Sequence, residues 1–306
     1  MTTILDPPGK NPPNPFSKHI ETVVRNPKSA PETVPLITTD IAAASDPSNA
    51  RWQFWDAFFT AIVSARAPIE SELSTHSTGP DLVFKPNDDS SSHPHQSLLA
   101  LFDELHETPV TDKFSAQWRD VHDILHAWRA WDGIRVTAQA DDAQSGPPPS
   151  PDPVAPKFLR FCEFSAALVG TRGYAREYVH VINVFYACRD GLESKPPSND
   201  EDKRGAGDPH QLLPEELWAL DVRVAAVWVR SGGLALSKTS VDELRTHWSA
   251  ALADKTHYYP QTDGLTLSRW MLWAERLDSF VGDARLDQET QVLVREAALA
   301  LDRVLT

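Results

Sequence analysis

Residues 217–229 read Leu-Trp-Ala-Leu-Asp-Val-Arg-Val-Ala-Ala-Val-Trp-Val. Only Asp221 and Arg223 interrupt the apolar run, and no proline or glycine breaks it. Side chains apolar nearly all round describe a helix buried on every side rather than one lying on a surface. Pro214 suits the first position of this helix, where the missing N–H costs nothing, and Gly232-Gly233 marks its expected end. A second run, Val179–Cys188, is apolar except at His180 and Asn183 and lies in a predicted helix Tyr174–Glu193. With a third helix over Pro156–Arg172, these segments are expected to form the middle of the protein.

Working outward, the apolar spacing stays helical. Trp52, Trp55, Phe58, Phe59, Ile62 and Val63 recur every three or four residues, after Ser48 as cap and before Pro68. Leu98, Leu99, Phe102 and Leu105 repeat the pattern, and Phe114, Trp118, Val121, Leu125 and Trp128 form one face of a helix beginning near Thr111. Ser240 with Glu243 makes a capping box ahead of Leu244, Trp248 and Leu252. Thr266 is the expected cap for Trp270, Trp273, Leu277 and Phe280, and Asp287 for Leu293, Ala297, Ala300 and Val304. Strand-type alternation is nearly absent. The expected fold is all-α, a single irregular bundle of about nine helices.

Of the 25 prolines, Pro7, Pro8, Pro12, Pro13, Pro15, Pro27, Pro31 and Pro35 crowd residues 1–46. The expectation there is a disordered Pro-rich tail, too poor in apolar surface to offset its ordering entropy, which could dock through Phe16 and Ile20 or the run Val34–Ile37. Residues 47–306 are then one helical domain, with polar loop insertions near 74–95, 140–156 and 194–211.

The 306 residues carry 29 Lys+Arg against 43 Asp+Glu, a net charge of −14. Nucleic acid is excluded as a partner, because phosphate binding needs clustered cations. No apolar run reaches the ~18 residues of a membrane helix. The first ten residues lack the basic and apolar regions of a secretory signal. Two cysteines, Cys162 and Cys188, both in apolar helical stretches, make no disulfide framework. The expected location is cytoplasmic or nuclear, not secreted.

Four landmarks, in order, carry a family resemblance. They are Phe158-Leu159-Arg160-Phe161-Cys162-Glu163-Phe164-Ser165-Ala166-Ala167-Leu168; then Val184-Phe185-Tyr186-Ala187-Cys188-Arg189-Asp190-Gly191-Leu192-Glu193. Next come Leu220-Asp221 with Ala225-Ala226-Val227-Trp228-Val229 and Gly232-Gly233, and last Leu267-Ser268-Arg269-Trp270-Met271-Leu272-Trp273. Over roughly residues 114–280 the chain resembles a fungal family designated domain of unknown function 3632. The resemblance implies a helical, intracellular fungal protein. It implies no catalytic residue, and the charged insertion after Glu193 departs from the family's pattern.

No catalytic constellation, cofactor motif or metal set emerges. His122 and His126 have the spacing of zinc-binding histidines, but the intervening Asp123 stands where a metalloprotease has Glu, and both lie off the apolar face. Glu177 and His180 form one Glu-x-x-His pair where a di-iron bundle needs two. No Gly-x-Gly-x-x-Gly or Walker loop is present. The cysteines read as core rather than as reactive thiolates. The Trp52/Trp55, Trp128/Trp131 and Trp270/Trp273 pairs each share a helix face, as core or as an aromatic pocket. Polar stripes remain: Arg176, His180, Asn183 and Asp190; Glu216, Arg223 and Arg230; Arg160 and Glu163. Either they are the solvent sides of core helices, or they face one another across a cleft. In the second case Arg176, His180, Asn183, Arg223 and Arg230 would bind a small polar or anionic ligand. The function expected is an interaction or scaffold module with a protein partner; the alternative is a small-molecule-binding protein or cofactor-free enzyme using that cleft.

Overall fold

The computed structural model describes residues 14–64, 94–132, 153–197 and 211–306. Among them are eleven α-helices and no strand, so the all-α expectation holds with two more helices than anticipated. They divide into two compact units, one ending at Gln117 and the other running from Trp118 to Thr306.

The N-terminal unit contains α1 (Ser17–Arg25), α2 (Ala30–Ala43), α3 (Pro47–Ser64) and α4 (Pro94–Leu105). The expected tail is therefore corrected over residues 17–43, which are helical and share a unit with the residues that follow. The reason lies in where the prolines fall. Pro27 opens a 3-10 turn and Pro31 sits in the first turn of α2, positions that sacrifice no helical hydrogen bond, while Pro35, inside α2, removes one that the buried face must offset. Phe16, Ile20 and Val23, then Ile37 and Ile41, have helical spacing and are buried. Residues 1–13, and most of the three expected insertions, lie outside the described residues. The start of α3 differs from expectation by two residues: Asp46, not Ser48, caps it, its Oδ1 accepting from the Asn49 N–H at 3.1 Å. Trp55 is the hub of this unit. It is fully buried, lies edge-on to Phe54, Phe58 and Phe114, and donates its Nε1–H to the Val110 carbonyl at 2.8 Å.

The unit boundary falls within α5 (Phe114–Trp128). The C-terminal unit continues with α6 (Ala155–Thr171), α7 (Ile182–Leu192), α8 (Pro214–Ser237), α9 (Val241–Ala253), α10 (Leu267–Phe280) and α11 (Gln288–Leu305). Helix α8 is central as its sequence requires, packed against α6, α7 and α11. It does not stop at Gly232-Gly233 but runs on to Ser237. Gly232 is there for close approach, not termination: a Cβ on it would lie 2.9 Å from Val184 Cγ2 of α7. Gly191 of α7 is tighter, since its Cβ would come within 2.4 Å of the Asp221 carbonyl oxygen. The predicted helix Tyr174–Glu193 is also broken. Residues Gly173–Glu177 are 3-10, and α7 begins only at Ile182, whose N–H donates to His180 Nδ1 at 3.0 Å. That side-chain bond satisfies an orphan donor at the head of α7 and so competes with an unbroken helix.

At the other end of α7, Glu193 is completely buried and meets Arg269 of α10 in a two-pronged ion pair of 2.6 and 2.8 Å. Trp273 Nε1–H and the Thr256 hydroxyl donate to the same carboxylate, and Arg269 donates further to the Leu252 and Gly264 carbonyls. Phe185 and Tyr259 lie against the guanidinium, 4.5 Å from each ring centre. A buried charge pair survives desolvation only when its remaining donors and acceptors are satisfied in this way. Two landmarks far apart in the sequence, 184–193 and 267–273, thus close on one another.

Candidate functional site

Within the C-terminal unit, α5, α6, α7 and α8 enclose a pocket of about 200 Å³. Its floor is apolar: Phe158 and Cys162 of α6 with Val224 and Trp228 of α8, all buried. Its polar wall comes from His122 and His126 of α5, Asn183 and Asp190 of α7, and Asp221 of α8. Each side chain reaches the pocket for a local reason. His122 and His126 stand one turn apart on α5, their rings stacked at 5.8 Å and 12°, and Trp118 continues the stack at 5.1 Å. Trp118 is anchored in turn by donating to the Ser165 hydroxyl at 2.9 Å. Asn183 is fixed in the first turn of α7 by donating from Nδ2 to the His180 carbonyl at 2.8 Å.

The electrostatics are set by two carboxylates and the guanidiniums that hold them. Arg129 Nε donates to Asp221 Oδ1 at 3.0 Å, and its Nη1 to the His126 carbonyl at 3.0 Å. Burial nevertheless pushes the Asp221 carboxyl above its ordinary range, with the Arg129 bond pulling the other way. Arg189 lies 3.3 Å from both Asp190 Oδ1 and Asp254 Oδ2 and stacks over the Tyr186 ring. Asp190 Oδ2 stands 4.0 Å from His126 Nε2. Burial, and then Arg129 and His122, lower the pKa of His126, with Asp190 and Asp123 pulling the other way. Burial pushes Cys162 far up, which keeps it a thiol and leaves it without nucleophilic character. The arrangement can hold a small molecule by an apolar body and a hydrogen-bonding end.

Of the stripe residues expected to face a cleft, Asn183 and Asp190 line this pocket, and of the five expected to bind a ligand only Asn183 does. Arg223 pairs with Glu289 and lies 3.9 Å from Asp287, while Arg230 pairs with Glu296 at 2.9 Å. Both therefore tie α8 to α11 and do not face α7. Arg176 is exposed, with Nη2 3.4 Å from the Ala235 carbonyl. His180 lies against Trp248, ring centres 3.8 Å apart. The stripes are not brought together: the helix carrying the first is broken, and the cations of the second already have carboxylates. The residue missed outright was Asp221; Asp190 was placed in a stripe but not among the ligand-binding residues, and His126 was weighed only as a metal ligand. Asp221 did carry a signal, as one of two polar interruptions in the most apolar run of the chain.

None of the three tryptophan pairs lines the pocket; Trp228 does. Trp55, Trp270 and Trp273 are core, whereas Trp128 is 44% exposed. Among the described residues no three His, Cys, Asp or Glu side chains converge as metal ligands would, and no helix is long and apolar enough to cross a membrane. No curated protein and no solved structure matches the chain. Residues 86–277 do match a protein family, and that span covers more than half of the sequence, takes in all four landmarks and contains every residue of the pocket. The chain belongs to the family described as protein of unknown function (DUF3632).

Proposed function

We propose that the protein is a small-molecule-binding protein whose ligand occupies the pocket between α5, α6, α7 and α8. One observation carries the reading: an apolar floor and a hydrogen-bonding wall, contributed by four different helices, converge on one concave space of about 200 Å³. Concavity, an apolar lining and a few converging polar groups are the marks of ligand sites. An engineered cavity of about 150 Å³ holds benzene, so the space suits a compound with a single ring. Of the residues first considered, Asn183 belongs to this site, while Arg223 and Arg230 serve as ties to α11. The resemblance and the two buried thiols support a fungal, cytoplasmic or nuclear setting.

The test is a thermal-shift screen of metabolites against the full chain and against Ala187→Leu, which narrows the pocket from α7. A ligand at a hundredfold excess over its Kd stabilises by about 2.7 kcal/mol. That corresponds to roughly 5–10 °C for a unit of this size. A midpoint rise in the wild type that disappears in Ala187→Leu is the expected result. If no compound stabilises the wild type, or if the rise survives Ala187→Leu, the reading is wrong.

A second reading, an interaction module, has its own support. Leu267 and Met271 stand one turn apart on α10, 65% and 50% exposed. On that reading, a partner purified with the wild-type chain is lost from Leu267→Asp/Met271→Asp while the thermal midpoint stays unchanged. Retention of every co-purifying protein by the double variant would remove this reading.

A further inference from the structure

We infer that the pocket selects a primary ammonium compound bearing one ring, the nitrogen donating to both Asp190 Oδ2 and His126 Nε2. This rests on the ligand-binding reading above and adds the chemical class. The charges around the pocket point one way. Arg189 already has Asp190 and Asp254 against it, and Arg129 has Asp221, so neither guanidinium is free to recruit an anion. Counted with their partners, three carboxylates, Asp190, Asp221 and Asp254, stand against two guanidiniums, Arg189 and Arg129, an excess of one negative charge beside the pocket. An incoming carboxylate or phosphate would meet that excess, whereas a cation would relieve it.

The geometry then locates the cation. Asp190 Oδ2 and His126 Nε2 are 4.0 Å apart, too far for a hydrogen bond between them. Two acceptors at that spacing can both accept from one nitrogen about 2.9 Å from each, provided it carries at least two N–H groups. An ammonium does. With its proton on Nδ1, a neutral His126 imidazole would present Nε2 as the second acceptor. Beyond this point the surface turns apolar, with Phe158 edge-on to His126 at 5.7 Å and Val224 and Trp228 behind it. A ring one carbon from the nitrogen would rest there. Size, charge and the polarity gradient thus specify the same outline, a ring with a short ammonium arm.

The experiment compares three ring compounds of nearly equal size by calorimetric titration into the full chain at pH 7.5: benzylamine, benzyl alcohol and benzoate. Benzylamine is expected to bind at least tenfold more tightly than benzyl alcohol, with benzoate weaker still. Asp190→Asn removes the charge and is expected to cost benzylamine tenfold or more while leaving benzyl alcohol within twofold. His126→Phe keeps the ring contacts, removes the second acceptor and should lower the preference for the amine severalfold, which guards against a folding defect in the first variant. Benzyl alcohol or benzoate binding as tightly as benzylamine, with the heat abolished by Ala187→Leu, overturns the cation class and leaves the ligand-binding reading standing. If none of the three binds while some metabolite passes the Ala187→Leu criterion, the class again falls alone. Failure of both experiments removes both.

Discussion

Glu193 has no surface exposed to water, and its two oxygens accept from Arg269, Trp273 and Thr256. Removing one partner strands the other charge in a low-dielectric interior, so Glu193→Leu is expected to cost about 3–5 kcal/mol. Replacing both, as Glu193→Leu/Arg269→Met, should cost less than either single change; urea unfolding of the four proteins measures the difference. A single variant within 1 kcal/mol of wild type would contradict the account. Titration offers a second residue-scale prediction. Burial lowers the pKa of both His126 and His180 in the folded chain, so the unfolded state takes up protons first as pH falls. Their contribution is therefore complete above the unfolded value of about 6.5 and is lost as pH falls from there through the folded values. The urea midpoint should drop between pH 7.5 and 5.5 in the wild type, and drop less in His126→Gln/His180→Gln. The cysteines give a third. Both are buried and their thiols are pushed up, so a disulfide reagent should modify neither in the native protein and both in guanidinium.

Helices were legible because apolar spacing survives almost any loop, and Asp287 illustrates the favourable case: it caps α11 as expected, accepting from the Thr290 N–H at 2.7 Å. Ser240 and Thr266 also stand at their cap positions, but neither side chain makes the capping bond; the Thr266 hydroxyl is 2.7 Å from the Tyr259 hydroxyl instead. Pattern thus locates an end without revealing which bond holds it. The glycines of the central landmarks look alike in sequence and differ in space. Gly191→Ala would drive a Cβ to 2.4 Å from a backbone oxygen that cannot rotate away, and should cost about 3 kcal/mol. Gly233→Ala meets nothing closer than 3.8 Å, so it should be neutral or gain up to about 1 kcal/mol of helix propensity. Equal effects of the two changes in a denaturant titration would be incompatible with this packing. The landmark 189–193 then reads as one device. Arg189 and Asp190 face the pocket, Gly191 lets α7 approach α8, Leu192 is core, and Glu193 locks α10.

At the scale of the whole molecule, what the sequence withheld is what depends on convergence. The helices of residues 17–43 were hidden because proline density masks the helical spacing of Phe16, Ile20, Val23, Ile37 and Ile41. The pocket was hidden because its polar side chains are divided among α5, α7 and α8, and a polar minority is the ordinary state of any helix. The α8–α11 pairing was likewise invisible, yet it has a direction. Arg223 meets Glu289 and Arg230 meets Glu296, seven residues on in both helices, so α11 runs parallel to α8. Parallel neighbours cannot be joined by a short turn, and here α9 and α10 lie between them in the chain. The partner of Arg230 is 66 residues downstream. During synthesis at about 5–20 residues per second, the central helix α8 therefore waits about 3–13 s for its cover. Until α11 has left the ribosome, the growing chain has a face of α8 open to whatever else is nearby. A chain stopped at Asp283 should remain in that state, recovered with aggregates or with holdase chaperones rather than as a folded monomer.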